Sequence, residues 1–166
     1  MIQRIQSFLL VLALVGFVLL FLFPTATYEA TANNHIQKSS LTLLPGENST
    51  NLETGEIENI AQNSILLMAM AIILGIGTLT SIFMYKKRIR QMRVVSFLAL
   101  INLLYIGLMF LSTIPDAAET LKSMGEVQTT YSVGTFVPLI TLVLIVIAQR
   151  AIRSDEMKVR AADRIR

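Results

Sequence analysis

Apolar residues gather into four long runs separated by polar stretches. The first three are Ile5–Phe23 (IQSFLLVLALVGFVLLFLF), Ile65–Tyr85 (ILLMAMAIILGIGTLTSIFMY) and Val94–Ile114 (VVSFLALINLLYIGLMFLSTI). Each reaches the roughly 20 mostly apolar residues that a helix needs to cross the hydrocarbon core of a bilayer. The fourth, Val133–Ile152 (VGTFVPLITLVLIVIAQRAI), is weaker, because it is free of charge only as far as Gln149. Arg150 and Arg153 must therefore reach out to the headgroups on their apolar stems. Pro138 falls in or near the first turns of this run, where a missing N–H does little harm. The pattern predicts an all-α membrane protein with four transmembrane helices, built as one membrane domain over residues 1–166. The spans are expected at about 5–23, 65–85, 94–114 and 133–152.

Between the runs the periodicity changes. Residues 24–63 open with TATYEATA, which alternates as a strand does. LPGENSTNLETGEIEN follows, with turn signals at Pro45-Gly46 and Thr54-Gly55. VQTTYSV at 127–133, within the second loop (115–132), reads as a further strand. A short β-hairpin or sheet capping the bundle is expected, and it must rest on the helix ends, since a bare hairpin is only marginally stable. MIQR followed by an apolar run also fits a signal peptide. However, the apolar core exceeds the 7–15 residues typical of such a segment. The nearest A-x-A site, Ala30-Thr31-Ala32, lies well beyond it. The first run is therefore read as a retained span.

Composition agrees with the pattern. The chain is 54% apolar and 15% charged, with a mean hydropathy of +0.63 and neither Cys nor Trp. Soluble domains carry about 25% charge. The absence of cysteine excludes disulfides, thiol chemistry and sulfur-ligated metals. The net charge of +3 hides a strong asymmetry. Arg4, Lys86, Lys87, Arg88, Arg90, Arg93, Arg150, Arg153, Lys158, Arg160, Arg164 and Arg166 fall at one set of span ends, and only Lys38 and Lys122 at the other. Glu29, Glu47, Glu53, Glu56, Glu58, Asp116, Glu119 and Glu126 all lie with that second pair. By the positive-inside rule both termini, the 86–93 hairpin and the 153–166 tail are cytoplasmic, and the two longer loops are outside.

Candidate chemistry is sparse. His35 is the one histidine, in the first exterior loop, with Ser39, Ser40 and Glu29 merely near it in sequence. A catalytic base needs a partner within hydrogen-bond reach, so His35 is read as a solvated loop residue. Glu53, Glu56 and Glu58 lack the spacing of a calcium loop and are read as a solvated acidic stretch. No phosphate-cradling loop, dinucleotide fingerprint or HExxH pattern occurs. The four apolar cores carry no ionisable group, which argues against an ion path. Asn102, deepest in the third run, is expected to bond across to another helix, with Thr78 and Ser81 as further interhelical polar contacts. Ala71 and Gly75 suggest a small-residue face for close helix packing.

From Leu139 to Arg166 there is no Pro and no Gly, so a helix starting near Phe136 would run about 45 Å and outlast the bilayer core. On a helical wheel Arg150, Arg153, Arg160 and Arg164 share one face, and Asp155, Glu156 and Asp163 occupy the adjoining arc. Charge segregated by face suits docking, although charge runs also serve simply as solvated faces. The acidic arc is expected to lean on Lys86, Lys87, Arg88 and Arg90 of the hairpin.

MIQRIQ at the start, GTFVPLI at the fourth span and RAIRSDEMKVRAADRIR at the end resemble the signatures of a family of small bacterial four-span membrane proteins carried as a domain of unknown function. Members more often show Asn at Gln149 and a basic residue at Ser154. The resemblance implies four helices and an inner-membrane location but supplies no reaction. The function expected from the residues is non-enzymatic: an accessory, assembly or scaffold subunit of an inner-membrane complex, docking through its charged cytoplasmic face. The alternative is a binder or carrier of a lipid or small apolar ligand between helices. No cofactor and no nucleic acid is expected. The expected partners are membrane lipids and either a membrane protein or a second copy of the chain.

Overall fold

The computed structural model describes residues 3–32, 35–43, 58–122 and 126–163. The elements run α1 (Gln3–Leu19), β1 (Ala26–Ala32), β2 (His35–Leu41), α2 (Glu58–Phe83), α3 (Arg88–Leu108), α4 (Ile114–Lys122), β3 (Glu126–Tyr131) and α5 (Val133–Asp163). A 3₁₀ turn, Met84–Lys86, joins α2 to α3, and a π-helical segment, Met109–Thr113, joins α3 to α4. Among the described residues three helical stretches are long and apolar enough to cross a membrane: Ile65–Phe83, Arg88–Glu119 and Val133–Val159. The apolar part of α1, Ile5–Leu19, is shorter. It stops short of the predicted Phe23 because the chain tightens after it. The amides of Phe21 and Leu22 bond three residues back, to Val18 and Leu19, and Pro24 follows.

Each of the four long helices buries one stripe with steps of four and three. These are Gln6, Leu10, Ala13, Phe17 and Leu20 on α1, and Leu67, Ala71, Leu74, Thr78 and Ser81 on α2. On α3 they are Gln91, Val95, Leu98, Asn102 and Tyr105, and on α5 Pro138, Thr141, Ile145, Ala148 and Ile152. That spacing is the seam of a left-handed helix bundle. α5 packs against α1 and α3, and α2 closes the ring between the same two helices. The outer faces are apolar: Phe8, Leu22, Phe97 and Leu100 are about two-thirds exposed, whereas Gln6, Gln91 and Asn102 are buried. Polar inside and apolar outside is the arrangement lipid selects, since the hydrocarbon offers no hydrogen bonds.

The third apolar run does not end in an irregular loop at Ile114. Its helix continues through the π segment into α4, so residues 115–132 hold a helix and a strand. Pro115 lacks the N–H that would continue the α ladder. One residue earlier the Ile114 amide bonds back to Met109 O, the five-residue step that defines a π turn. The cap is a three-stranded antiparallel sheet in the order β2-β1-β3, with β1 central. TATYEATA forms β1 as its alternation predicts, and Ala26 pairs with both Leu41 and Tyr131. Its hairpin partner lies nearer than the turn signals suggested, directly across residues 33–34. Pro45-Gly46 and Thr54-Gly55 lie outside the described residues.

Candidate functional site

Inside the bundle the polar groups form cross-links between helices. Asn102, fully buried on α3, donates from Nδ2 to Thr141 Oγ1 at 3.2 Å and to Pro138 O at 3.4 Å on α5. Thr141 in turn donates to Pro138 O at 2.9 Å. Gln91 Nε2 bonds Ser81 O at 3.1 Å, tying α3 to α2. Gln149 Nε2 bonds Ser96 Oγ at 2.7 Å, and Gln6 Nε2 bonds Ala151 O at 3.1 Å, tying α5 to α3 and α1. Thr78 departs from expectation. Its hydroxyl donates to Leu74 O one turn back, 2.7 Å away, so it satisfies itself on its own helix. Ser81 contributes its backbone carbonyl to the contact with α3, and its hydroxyl has no partner among the described residues. The glutamines were missed in the sequence. For Gln6 and Gln91 the signal was heptad spacing from other buried positions; Gln149, half-buried beside the α5 stripe, had no such signal.

The close helix contact also falls elsewhere than the sequence suggested. Ala71 is buried, but a Cβ built on Gly75 would meet nothing within 4 Å. Gly75 therefore does not mediate close packing; with Leu14, Phe17, Ile72 and Leu79 it fronts an apolar groove of about 230 Å³ between α1 and α2. Tight approaches are at Gly16, where an added methyl would collide with Thr141 Cγ2 on α5, and at Gly77, where it would stand 2.5 Å from Leu98 Cδ2 on α3.

At the sheet end, GTFVPLI builds a junction. Gly134 N donates to Pro24 O at 3.1 Å, and a Cβ there would stand 2.5 Å from that oxygen and 2.8 Å from Phe23 O. The Thr135 hydroxyl and the Ser132 amide both donate to Thr25 O. Thr25 donates to Leu41 O through both its amide, at 2.8 Å, and its hydroxyl, at 2.9 Å. This knot fixes where α1 ends, where the sheet begins and where α5 enters. Tyr28, on the underside of the sheet, donates to Ile114 O at 3.1 Å. Burial, with Tyr131 as a lesser cause, pushes its hydroxyl well above the usual tyrosine range.

At the hairpin end the tail of α5 meets α3. Arg88 Nη1 lies 3.4 Å from Asp155 Oδ2, with both side chains largely covered. Lys87, Arg88, Ile89, Arg90 and Glu156 line a shallow notch of about 470 Å³. Arg150 and Arg153 are exposed, as are Met157 and Val159 beyond them. Lys86, Arg160 and Asp163 belong to described elements, but their side chains are not among those placed, and Arg164 lies outside the described residues. His35 sits at the start of β2, Glu58 opens α2, and Glu53 and Glu56 lie outside the described residues. Among the described residues no three His, Cys, Asp or Glu side chains gather as a metal site would require.

The family model described as a domain of unknown function (DUF4293) matches residues 2–165, nearly the whole chain. The chain belongs to the DUF4293 family. Comparison with curated proteins and with solved structures finds no match. In this DUF4293 chain the GTFVPLI motif that carried the resemblance is thus explained by architecture. Gly134 and Thr135 knot the sheet to the bundle, and Pro138 supplies the carbonyl that Asn102 and Thr141 share.

Proposed function

We propose that this is a four-span protein of the bacterial inner membrane, with both termini cytoplasmic, and that it serves as a non-enzymatic accessory, assembly or scaffold subunit of a membrane complex. Sidedness is supported by the crowding of Lys and Arg at the hairpin end. At 17 residues α1 is short for a span, and the membrane accommodates such a helix by local thinning and by tilt of its neighbours.

The observation that carries the reading is the state of the tail. α5 runs unbroken for 31 residues, about 46 Å. Its end is held against α3 by the Arg88–Asp155 pair, while Arg150, Arg153 and Met157 share an outward face. A helix pinned on one side and presenting cations with an exposed apolar residue on the other is a preformed docking surface. The test is co-purification of the full chain in mild detergent. A partner at fixed stoichiometry should be retained by wild type and lost from Arg150→Glu/Arg153→Glu. A partner retained equally by both, or a lone monomer, contradicts the proposal.

A second reading, a carrier of a lipid or small apolar ligand, is favoured by the α1–α2 groove, which is apolar throughout its lining. Gly75→Leu would fill it. Loss of a co-purifying lipid with no loss of protein partner would move the assignment to this reading.

A further inference from the structure

The notch at the hairpin has a chemistry of its own, independent of the outward face of the tail. Three cationic residues, Lys87, Arg88 and Arg90, line it against one carboxylate, Glu156. Arg88 is engaged with Asp155, whereas Lys87 and Arg90 are exposed. The connection beside them is short, a three-residue 3₁₀ turn and Lys87 between two helices long and apolar enough to cross a membrane, with Arg88 and Arg90 in the first turn of the second. So short a link keeps these cations at headgroup depth. Ile89, 44% exposed, forms the apolar part of the wall; Phe83, at the end of α2, and Tyr85, on the turn, are 73% and 51% exposed. An exposed tyrosine such as Tyr85 is a side chain enriched at the membrane–water boundary. The surface thus offers cations beside apolar side chains, which suits an amphipathic anion.

We propose that the notch of Lys87, Arg88, Ile89, Arg90 and Glu156 holds the phosphate of an anionic phospholipid. Lys87 and Arg90 donate to the phosphate oxygens, and the acyl chains lie along Ile89 and Phe83. A soluble protein partner fits this surface less well, because the notch faces the headgroup layer from a turn too short to stand clear of it.

The test is lipid retention by the full chain in mild detergent, read by native mass spectrometry. The probes are phosphatidylglycerol and phosphatidylcholine with identical acyl chains. Phosphatidylglycerol should be retained preferentially. Lys87→Gln/Arg90→Gln should weaken that retention on the order of thirtyfold, from about 1 kcal/mol for each basic residue near an anionic surface. Lys158→Gln removes an exposed charge elsewhere on the same end and should leave retention unchanged. Millimolar inorganic phosphate should not displace the lipid. Equal retention of the two lipids would overturn the proposal, as would an equal loss in the control variant or displacement by phosphate. A protein partner lost from Lys87→Gln/Arg90→Gln while lipid retention stays intact would also overturn it.

Discussion

Adding one methyl at each of two glycines should have opposite effects in this bundle. At Gly16 a new Cβ collides with Thr141 Cγ2. Thr141 cannot turn away freely, because its hydroxyl donates to Pro138 O and accepts from Asn102. Either α1 and α5 separate or those bonds break. Overpacking of this kind costs about 1–3 kcal/mol, against the roughly 1 kcal/mol that alanine gains over glycine in a helix. Gly16→Ala should therefore destabilise the protein by up to about 2 kcal/mol. At Gly75 nothing lies within 4 Å of the added methyl, so only the propensity term remains and Gly75→Ala should be neutral or stabilising by up to about 1 kcal/mol. Thr141→Ser keeps the hydroxyl and removes the colliding methyl. Alone it should cost about 1 kcal/mol, as small methyl deletions do. Combined with Gly16→Ala it should relieve the clash, leaving the double variant more stable than Gly16→Ala. The assay is denaturant unfolding in detergent micelles followed by helical circular dichroism, analysed as a double-mutant cycle. A Gly16→Ala protein more stable than wild type, or a Thr141→Ser cost that simply adds to it, would refute the packing described here.

Asn102→Leu removes the bonds to Thr141 and Pro138 but leaves Thr141 satisfied by Pro138 O. Its cost in the same unfolding assay should be about 0.6–2 kcal/mol, the range for interhelical polar contacts in membranes. Full stability with lost lipid or partner retention would instead make Asn102 a ligand contact. Gly134→Ala meets two backbone oxygens, which cannot swing aside as a side chain can. It should cost more than Gly16→Ala and expose the sheet end to limited proteolysis. Unchanged protease resistance would count against the junction.

Much of the helical frame was legible because long apolar runs and a break in periodicity at TATYEATA each have a single strong cause. What hydropathy could not show was which stripe of an all-apolar helix faces inward. The rare polar residues carried that information, since Gln91 and Asn102, or Thr78 and Ser81, fall on one heptad stripe when read together. The partner of Gly16 lies 125 residues away on α5, and no local pattern signals it. Gly75 was misread for the same reason: small residues allow close approach but do not require it. α4 was hidden because Pro115 reads as a stop, whereas a π turn lets the helix continue past it. In the tail, the segregation of charge by face pointed to the hairpin, but not to Arg88 and Asp155 as the pair that meets.

A tail held in place before any partner arrives is the core of the docking proposal, and its mobility can be measured. With a spin label at Val159 in the full chain, the wild-type tail should be immobilised, Asp155→Arg should free it, and Arg88→Asp added to Asp155→Arg should restore the immobile signal. A tail equally mobile in all three proteins, or a swap that fails to restore it, would contradict the pinned platform.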